Sequence, residues 1–407
     1  MNDYVYVPLS SGGAQSDKSC TVQFSLDRTL YGAEGIVILT CSVLGAHWVC
    51  EAIAARSAVT TLNLPHHKLG DEGAMELFRW LCSGLGKKYR KQINNIDVSD
   101  NRIGDRGLAV ISEYLLGNRS LRALTLSKWD DGALLVFADA VNGSRVQDLA
   151  LNNVPSGDVF VPHLLSHLTT PYLKSLRISM TGLTERSASA IATFIVSPRC
   201  RLYKLSLSGN SLGQYGVSDF LKAMQHSYSL RIVDLFANAD NIDYTPKQTV
   251  EKRNSVLSTT IAKEARTLLR ASRIVLLPGD GCRAQADADL QSPTTETVEL
   301  PLELRQHILT FLAPHLSIGQ CLHIFDYASS HATLPMLAMH SSHSCLPDPS
   351  AGPCGRSATL RSPCEEGMCM GASNSLSCRR EILRADWLLK VECDVPDPVV
   401  ASALFND

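Results

Sequence analysis

At 407 residues the chain exceeds one ordinary compact domain, and 45% hydrophobic against 19% charged residues allow a sizeable core and exclude wholesale disorder. Lys and Arg number 38 against 40 Asp and Glu, so the formal net charge of -2 supplies no global field toward nucleic acid or an anionic membrane, and neither is expected as a partner. The 13 cysteines are odd in number and scattered, with Cys41 and Cys82 in apolar stretches where a thiol packs as a small hydrophobe; this fits a reducing compartment better than a disulfide framework.

Residues 1–35 read as an N-terminal segment. Its opening, MNDYVYVPLSSGG, lacks the basic and then apolar regions of a secretory signal. The longest apolar run, Gly35 to Leu44, is far short of a membrane span, so a cytoplasmic or nuclear protein is expected.

From Val37 to Asn238 an apolar-x-apolar pattern recurs in strand-like runs. It reads VIL at 37, LNL at 62, IDV at 96, LTL at 124, LAL at 149, LRI at 176, LSL at 205 and VDL at 233, at intervals of 25, 34, 28, 25, 27, 29 and 28 residues. So regular a period marks stacked supersecondary units, here residues 36–245. After the strand, glycines return at fixed offsets, as in Leu69-Gly70-Asp71-Glu72-Gly73, Ile103-Gly104-Asp105-Arg106-Gly107 and Leu212-Gly213-Gln214-Tyr215-Gly216. Such loops need positive φ or close backbone packing before a helix begins. Apolar residues then recur four apart, as in Leu77 and Leu81, Ile111 and Leu115, Leu164 and Leu168, Ile191 and Ile195, and Phe220 and Met224, which is one helical face. A short strand and a one-faced helix cannot bury themselves alone. Stacking removes that surface from water, and parallel strands beside longer helices predict an α/β solenoid, curved with its sheet inside.

The stretches INNIDVSDNRIGDRGLAVISEYL and LYKLSLSGNSLGQYGVSDFL resemble the ribonuclease-inhibitor-like leucine-rich-repeat family, whose unit runs LxxLxLxxNxLGDxGxxxLxxxL. The resemblance covers about residues 36 to 240. The family's asparagine stands at Asn101, Asn210 and Asn238, and is replaced by His67, Trp129, Val154 and Thr181 in the other clear units. The resemblance implies a protein-binding solenoid. A Ran-type GTPase-activating protein, similar in repeat length and type, is the alternative it implies, although no motif places an activating arginine and Arg102 and Arg106 read as solvated loop residues.

In the 34-residue unit, GLGKKYRKQ brings Lys87, Lys88, Arg90 and Lys91 between helix and strand. It reads as a solvated inserted loop, with a localisation signal or an acidic-partner patch as the functional alternative. Residues 246–278 form a capping helix, with Val256, Leu257, Ile261, Ala265, Leu268 and Leu269 on its apolar face. Residues 279–297 have linker composition. Residues 298–340 contain, from Leu300, LPLELRQHILTFLAPHLSIGQCLHIFDYAS, with Leu300, Leu304, Ile308, Phe311 and Leu312 at helical spacing and Pro301 suited to a first turn. That opening resembles an F-box, which implies binding of a Skp-type adaptor by Leu300, Pro301, Leu304, Ile308, Phe311 and Leu312. A plain helical hairpin is the other reading.

Residues 341–378, rich in Ser, Pro, Gly and Cys, are expected to be a disordered linker. Cys345, Cys354, Cys364, Cys369 and Cys378 form no C-x-x-C pair, so no metal is assigned. Residues 379–407 end the chain in a short helix carrying Ile382, Leu383, Trp387 and Leu388.

No G-x-S-x-G, H-E-x-x-H, phosphate loop or dinucleotide fingerprint occurs, and His66, His67 and His340 have no partner visible in sequence. No catalytic residue and no cofactor are therefore assigned, and the chain is read as a non-enzymatic scaffold. Its expected binding residues are the strand positions between buried aliphatics, facing the concave side: Asn63, Asp97, Thr125, Ala150, Arg177, Ser206 and Asp234. Joined to an F-box-like element, the solenoid would be the substrate receptor of a ubiquitin ligase.

Overall fold

The computed structural model describes residues 21–23, 43–127, 134–154, 157–276, 300–330, 333 and 386–405. They divide into two compact units, with the boundary between Asn254 and Ser255. Val37–Leu39, Cys41, Trp129, His340, Ile382, Leu383, the two expected linkers and the cysteines from Cys345 to Cys378 lie outside the described residues.

In the first unit strands and helices alternate. β1 (Thr21–Gln23), β2 (Thr61–Asn63), β3 (Asn95–Asp97) and β4 (Ala123–Ser127) are followed by β5 (Asp148–Asn152), β6 (Ser175–Arg177), β7 (Lys204–Ser206) and β8 (Ile232–Asp234). They make one eight-stranded sheet in sequence order, parallel throughout. Parallel neighbours require crossovers, and these carry α1 (Val43–Ala54), α2 (Gly70–Cys82), α3 (Lys87–Arg90), α4 (Asp105–Leu115), α5 (Leu134–Asn142), α6 (Gly157–His167), α7 (Glu185–Val196) and α8 (Gly213–Gln225). The fold is a leucine-rich-repeat solenoid. The strand beside β2 is Thr21–Gln23, with Thr21 opposite Thr61, rather than the VIL run at 37.

The register explains the repeat. Leu62, Ile96, Leu124, Leu149, Leu176, Leu205 and Val233 stand opposite one another on successive strands, and all are buried. Two residues on, Leu64, Val98, Leu126, Leu151, Ile178, Leu207 and Leu235 form a second buried row. The helices close over both rows with Leu77, Phe78 and Leu81, with Ile111, Tyr114 and Leu115, and with their counterparts in later repeats.

Neighbouring repeats are also tied by polar bonds. Asp71 Oδ1 accepts from the backbone amides of Gly104 (2.7 Å) and Gly107 (2.8 Å), so a carboxylate of one repeat caps the helix of the next. Asp158 does the same in part, accepting from the amide of Thr184 and from the hydroxyl of Ser187. Burial opposes its ionisation, but the hydrogen bonds from Ser187 and Thr184 more than offset this and hold its carboxyl below the usual range.

The loop glycines serve different ends, and Gly104, with φ -99°, does not need the left-handed region that Gly70 and Gly213 occupy. Gly213 has φ +69°, which L side chains rarely adopt, whereas a Cβ on Gly107 would meet Ile103 Cγ2 at 2.6 Å and Asp71 Oδ1 at 2.8 Å. Close packing of repeat on repeat therefore fixes the second glycine.

The inserted basic segment is not a simple solvated loop. It forms α3, whose Tyr89 is buried and donates its hydroxyl to the carbonyls of Ala54 (3.1 Å) and Arg56 (2.8 Å), leaving Lys87, Lys88 and Lys91 exposed. Cys82 is exposed, contrary to its expected packing role, because it ends α2 away from the apolar face; among the described residues of this unit, Cys50 and Cys200 are the buried thiols. His66 and His67 do have partners. His66 Nδ1 lies 2.7 Å from Asp100 Oδ2 of the next repeat, and His67 is buried with Nδ1 2.6 Å from Pro65 O. Burial lowers the pKa of His67, against the hydrogen bonds to Pro65 and Leu64 that favour its charged form.

The helix α9 (Thr245–Leu276) begins in this unit. Glu251 Oε1 accepts from the edge-strand amide of Val233 (2.6 Å), while Asn254 Nδ2 donates to the carbonyls of Ser227 and Leu230. Val256, expected on the apolar face, is exposed.

The second unit packs α9 from Ser255 onward with α10 (Leu302–Thr310), α11 (Ile318–Ser329) and a short helical turn at 386–390; a last helix spans Pro398–Phe405. Ile261, Ala265, Leu268, Leu309, Ile324 and Phe325 meet Trp387 and Val391 in its core. His315 is held through its amide to Glu264 Oε2 (2.9 Å) and through Nδ1 to Oε1 (2.5 Å), and Ser317 with Gln320 forms a capping box at the start of α11. Gln320 Nε2 also donates to the carbonyls of Glu392 (2.7 Å) and Val395 (3.1 Å), which fixes the segment after Trp387.

Candidate interaction surfaces

The strand column expected from sequence is brought into one row. Asn63, Asp97, Thr125, Ala150, Arg177, Ser206 and Asp234 stand opposite one another across seven strands, turned away from the aliphatic rows. Asn63, Asp97, Thr125 and Arg177 are half-buried and Asp234 is exposed, but Ala150 is fully buried between the larger Thr125 and Arg177 and offers no contact, and Ser206 is buried as well, its hydroxyl turned to Asp234.

The charged members are already oriented. Asp97 Oδ1 accepts from the amide of Ser99 (2.9 Å) and Asp234 Oδ1 from that of Phe236 (3.1 Å), an i to i+2 turn that fixes each carboxylate. Arg177 Nη2 lies 3.3 Å from Asp148 Oδ1 on the neighbouring strand. A serine chain runs from Ser208 through Ser179 to Ser206, whose hydroxyl donates to Asp234 Oδ2 at 3.1 Å. Asn63 Oδ1 and Arg177 Nε are buried without a hydrogen bond among the described residues.

Two neighbours of this row escaped the sequence reading. Along β8 and the residues after it, Ile232, Asp234 and Phe236 alternate onto the same face and all three are exposed, Phe236 at 79%. The signal was present in RIVDLFAN, but a reading confined to the middle residue of each strand passes over it.

In the second unit, Pro301 is the N-cap of α10 and Phe311 its C-cap. Leu300, Pro301, Leu304, Ile308, Phe311 and Leu312 are all exposed, and Leu309 is the one buried residue within α10. His307 meets Phe311 edge-on at 5.3 Å. Beside them a groove of about 410 Å³ is lined by His307, Thr310, Pro314, Ile318, Leu322 and Phe325. Of the loop arginines, Arg106 is paired with Glu72 at 2.8 Å, and Arg102 is exposed with φ +54°.

Among the described residues no group of His, Cys, Asp and Glu is arranged to hold a metal, and no helix is long and apolar enough to cross a membrane.

Fold and surfaces together describe a leucine-rich-repeat solenoid and a second, helical unit. The family model described as Leucine Rich repeat matches residues 58–78 and 95–112, the β2–α2 and β3–α4 units. The chain is 22% identical over 223 residues to the ribonuclease inhibitor of Mus musculus, covering 47% of this chain and 49% of that protein. It is 24% identical over 230 residues to NACHT, LRR and PYD domains-containing protein 5 of Mus musculus, covering 56% of this chain and 16% of that one. The chain thus spans about half the length of the first of these relatives and about a sixth of the second.

Proposed function

We propose that the chain is a non-enzymatic scaffold whose repeat unit holds a protein ligand on the open face of its sheet. The observation that carries this reading is the row from Asn63 to Asp234, locked by strand register and ending in exposed Ile232 and Phe236. Polar groups fixed at a regular spacing give specificity, and an exposed aromatic beside them supplies the desolvated anchor on which binding energy concentrates. The first of the two relatives bears the name of a protein inhibitor, which agrees with a protein as ligand.

Phe236→Ala is expected to weaken that ligand about thirtyfold, an anchor loss of about 2 kcal/mol. Stability should be unchanged, because the ring makes little buried contact. Ligands retained by the intact chain on affinity purification are to be titrated against this variant and against Asp97→Lys. Equal affinity for all three proteins would place the interface elsewhere. Arg177 is unsuitable for charge reversal, since a carboxylate there would face Asp148.

For the second unit we propose the finer role implied by the F-box resemblance, recruitment of a Skp-type adaptor by α10, with the solenoid as the substrate receptor of a ubiquitin ligase. In its favour, the six residues concerned present apolar surface to solvent instead of completing the unit's own core. Ile308→Asp combined with Phe311→Asp should abolish adaptor co-purification and leave thermal unfolding unaltered. Failure of the unsubstituted chain to bind adaptor at micromolar concentration would remove this role.

A further inference from the structure

The parallel sheet sorts the connections of the first unit onto two edges, since every loop that leads into a strand lies at the strands' N-terminal end. Seven such loops run from a helix into β2 through β8. Arg56 precedes β2; Lys87, Lys88, Arg90 and Lys91 precede β3; Arg119 and Arg122 precede β4. Arg145, Lys174, the pair Arg199 and Arg201, and Arg231 precede β5 to β8 in turn. None of these loops contains an Asp or Glu. The described residues of the loops leaving β2 to β8 on the opposite edge include Lys68 and Arg102 against Asp100, Asp240 and Asp243. A formal net charge of -2 for the chain therefore conceals an edge of one sign.

The edge is continuous. Backbone bonds extend the ladder one residue below the strands, from Arg122 to Gln147, Lys174, Tyr203 and Arg231. At the usual strand spacing of about 4.8 Å, the row from β2 to β8 is about 29 Å long, the length of about nine residues of extended peptide. Lys87, Lys88, Lys91, Arg119, Arg145 and Arg199 form no ion pair with any described carboxylate.

What lies between the cations selects the partner. The Arg145 guanidinium covers the Tyr172 ring at 5.4 Å and that of Arg231 covers Tyr203 at 4.8 Å, so these aromatic faces are not open platforms on which bases would stack. Large aliphatic side chains are exposed instead, Leu85 at 79% in the loop before β3 and Leu116 at 61% in the loop before β4. A single row of cations fits a chain better than a lipid plane, and two leucines beside it fit apolar side chains better than a phosphate backbone.

We propose that this edge docks an acidic, leucine-bearing peptide segment of another protein. Arginine forks can take the carboxylates in bidentate fashion, with Leu85 and Leu116 receiving the apolar residues. The edge is separate from the strand row, so this inference stands or falls independently of the ligand proposed there.

The test is fluorescence anisotropy of the intact chain with a labelled peptide of about ten residues, mostly Glu with two Leu, chosen to match the length of the row. Oligouridylate of similar charge and vesicles of phosphatidylserine with phosphatidylcholine are the comparison probes. The peptide should bind, should be displaced by added salt, and should weaken when its leucines are replaced by serine. The combined variant Lys87→Glu, Lys91→Glu, Arg119→Glu, Arg199→Glu should lose about tenfold or more in affinity, while Lys222→Glu on α8 should lose nothing. Should the combined variant fold poorly, salt displacement from the unsubstituted chain probes the same charge contacts. Absence of peptide binding, insensitivity to salt, or tighter binding of oligouridylate or of the vesicles would overturn the proposal.

Discussion

Leu205→Asp is expected to destroy the cooperative fold of the repeat unit rather than to loosen one repeat. Leu205 is 2% exposed and stands in register between Leu176 and Val233. Truncating such a side chain costs about 2–5 kcal/mol, and an unpaired buried carboxylate adds several more. Set against a whole-domain stability of about 5–15 kcal/mol, that is enough to unfold the unit. Because a repeat contacts only its neighbours, damage at β7 should spread first to β6 and β8 with α7 and α8. Hydrogen exchange reads the outcome directly: protection should fall across at least these three repeats. Leu124→Asp should give the same result around β4. Loss confined to the substituted repeat would mean that coupling between neighbours is weak.

The period and its aliphatic positions made the solenoid legible, because each buried row needs an apolar residue at the same place in every unit. The first strand was not legible. Val37–Leu39 fits the apolar-x-apolar pattern better than Thr21–Gln23 does, yet it is Thr21–Gln23 that pairs with β2. An edge strand stacks on one side only, and one aliphatic, Val22, stands opposite Leu62.

The length of the 34-residue unit was visible, but its cause was the burial of Tyr89 by α3, which a basic sequence conceals. Helical spacing likewise grouped Leu304, Ile308, Phe311 and Leu312 without revealing which way the group faces. In the structure Leu309, outside that set, enters the core. The basic edge was written in the sequence throughout. Charges summed over the chain cancel, and only the strand direction separates the loops that enter the sheet from those that leave it.

Asn101→Ala is expected to cost the repeat unit about 3 kcal/mol or more. Asn101 is fully buried, and its side chain makes four hydrogen bonds to backbone. Oδ1 accepts from the amides of His67 (2.9 Å) and Leu69 (3.2 Å), and Nδ2 donates to the carbonyls of Leu64 (2.6 Å) and Ser99 (3.1 Å). Alanine leaves two amides and two carbonyls without these partners at the seam between two repeats. Each unsatisfied buried group costs about 1–3 kcal/mol, and local relaxation recovers part of the sum. Asn210 repeats the arrangement, with Oδ1 serving the amides of Thr181 and Leu183 and Nδ2 the carbonyls of Ile178 and Leu207, so Asn210→Ala should cost as much. Asn238 differs, since Nδ2 reaches Leu207 O and Leu235 O while its Oδ1 has no partner among the described residues. Removing it orphans fewer groups, and Asn238→Ala should cost only about 1–2 kcal/mol. Urea unfolding of the three variants at equal m-value measures the order. A loss at Asn238 equal to that at Asn101 would mean that the asparagines act through shape and not through the backbone groups they satisfy.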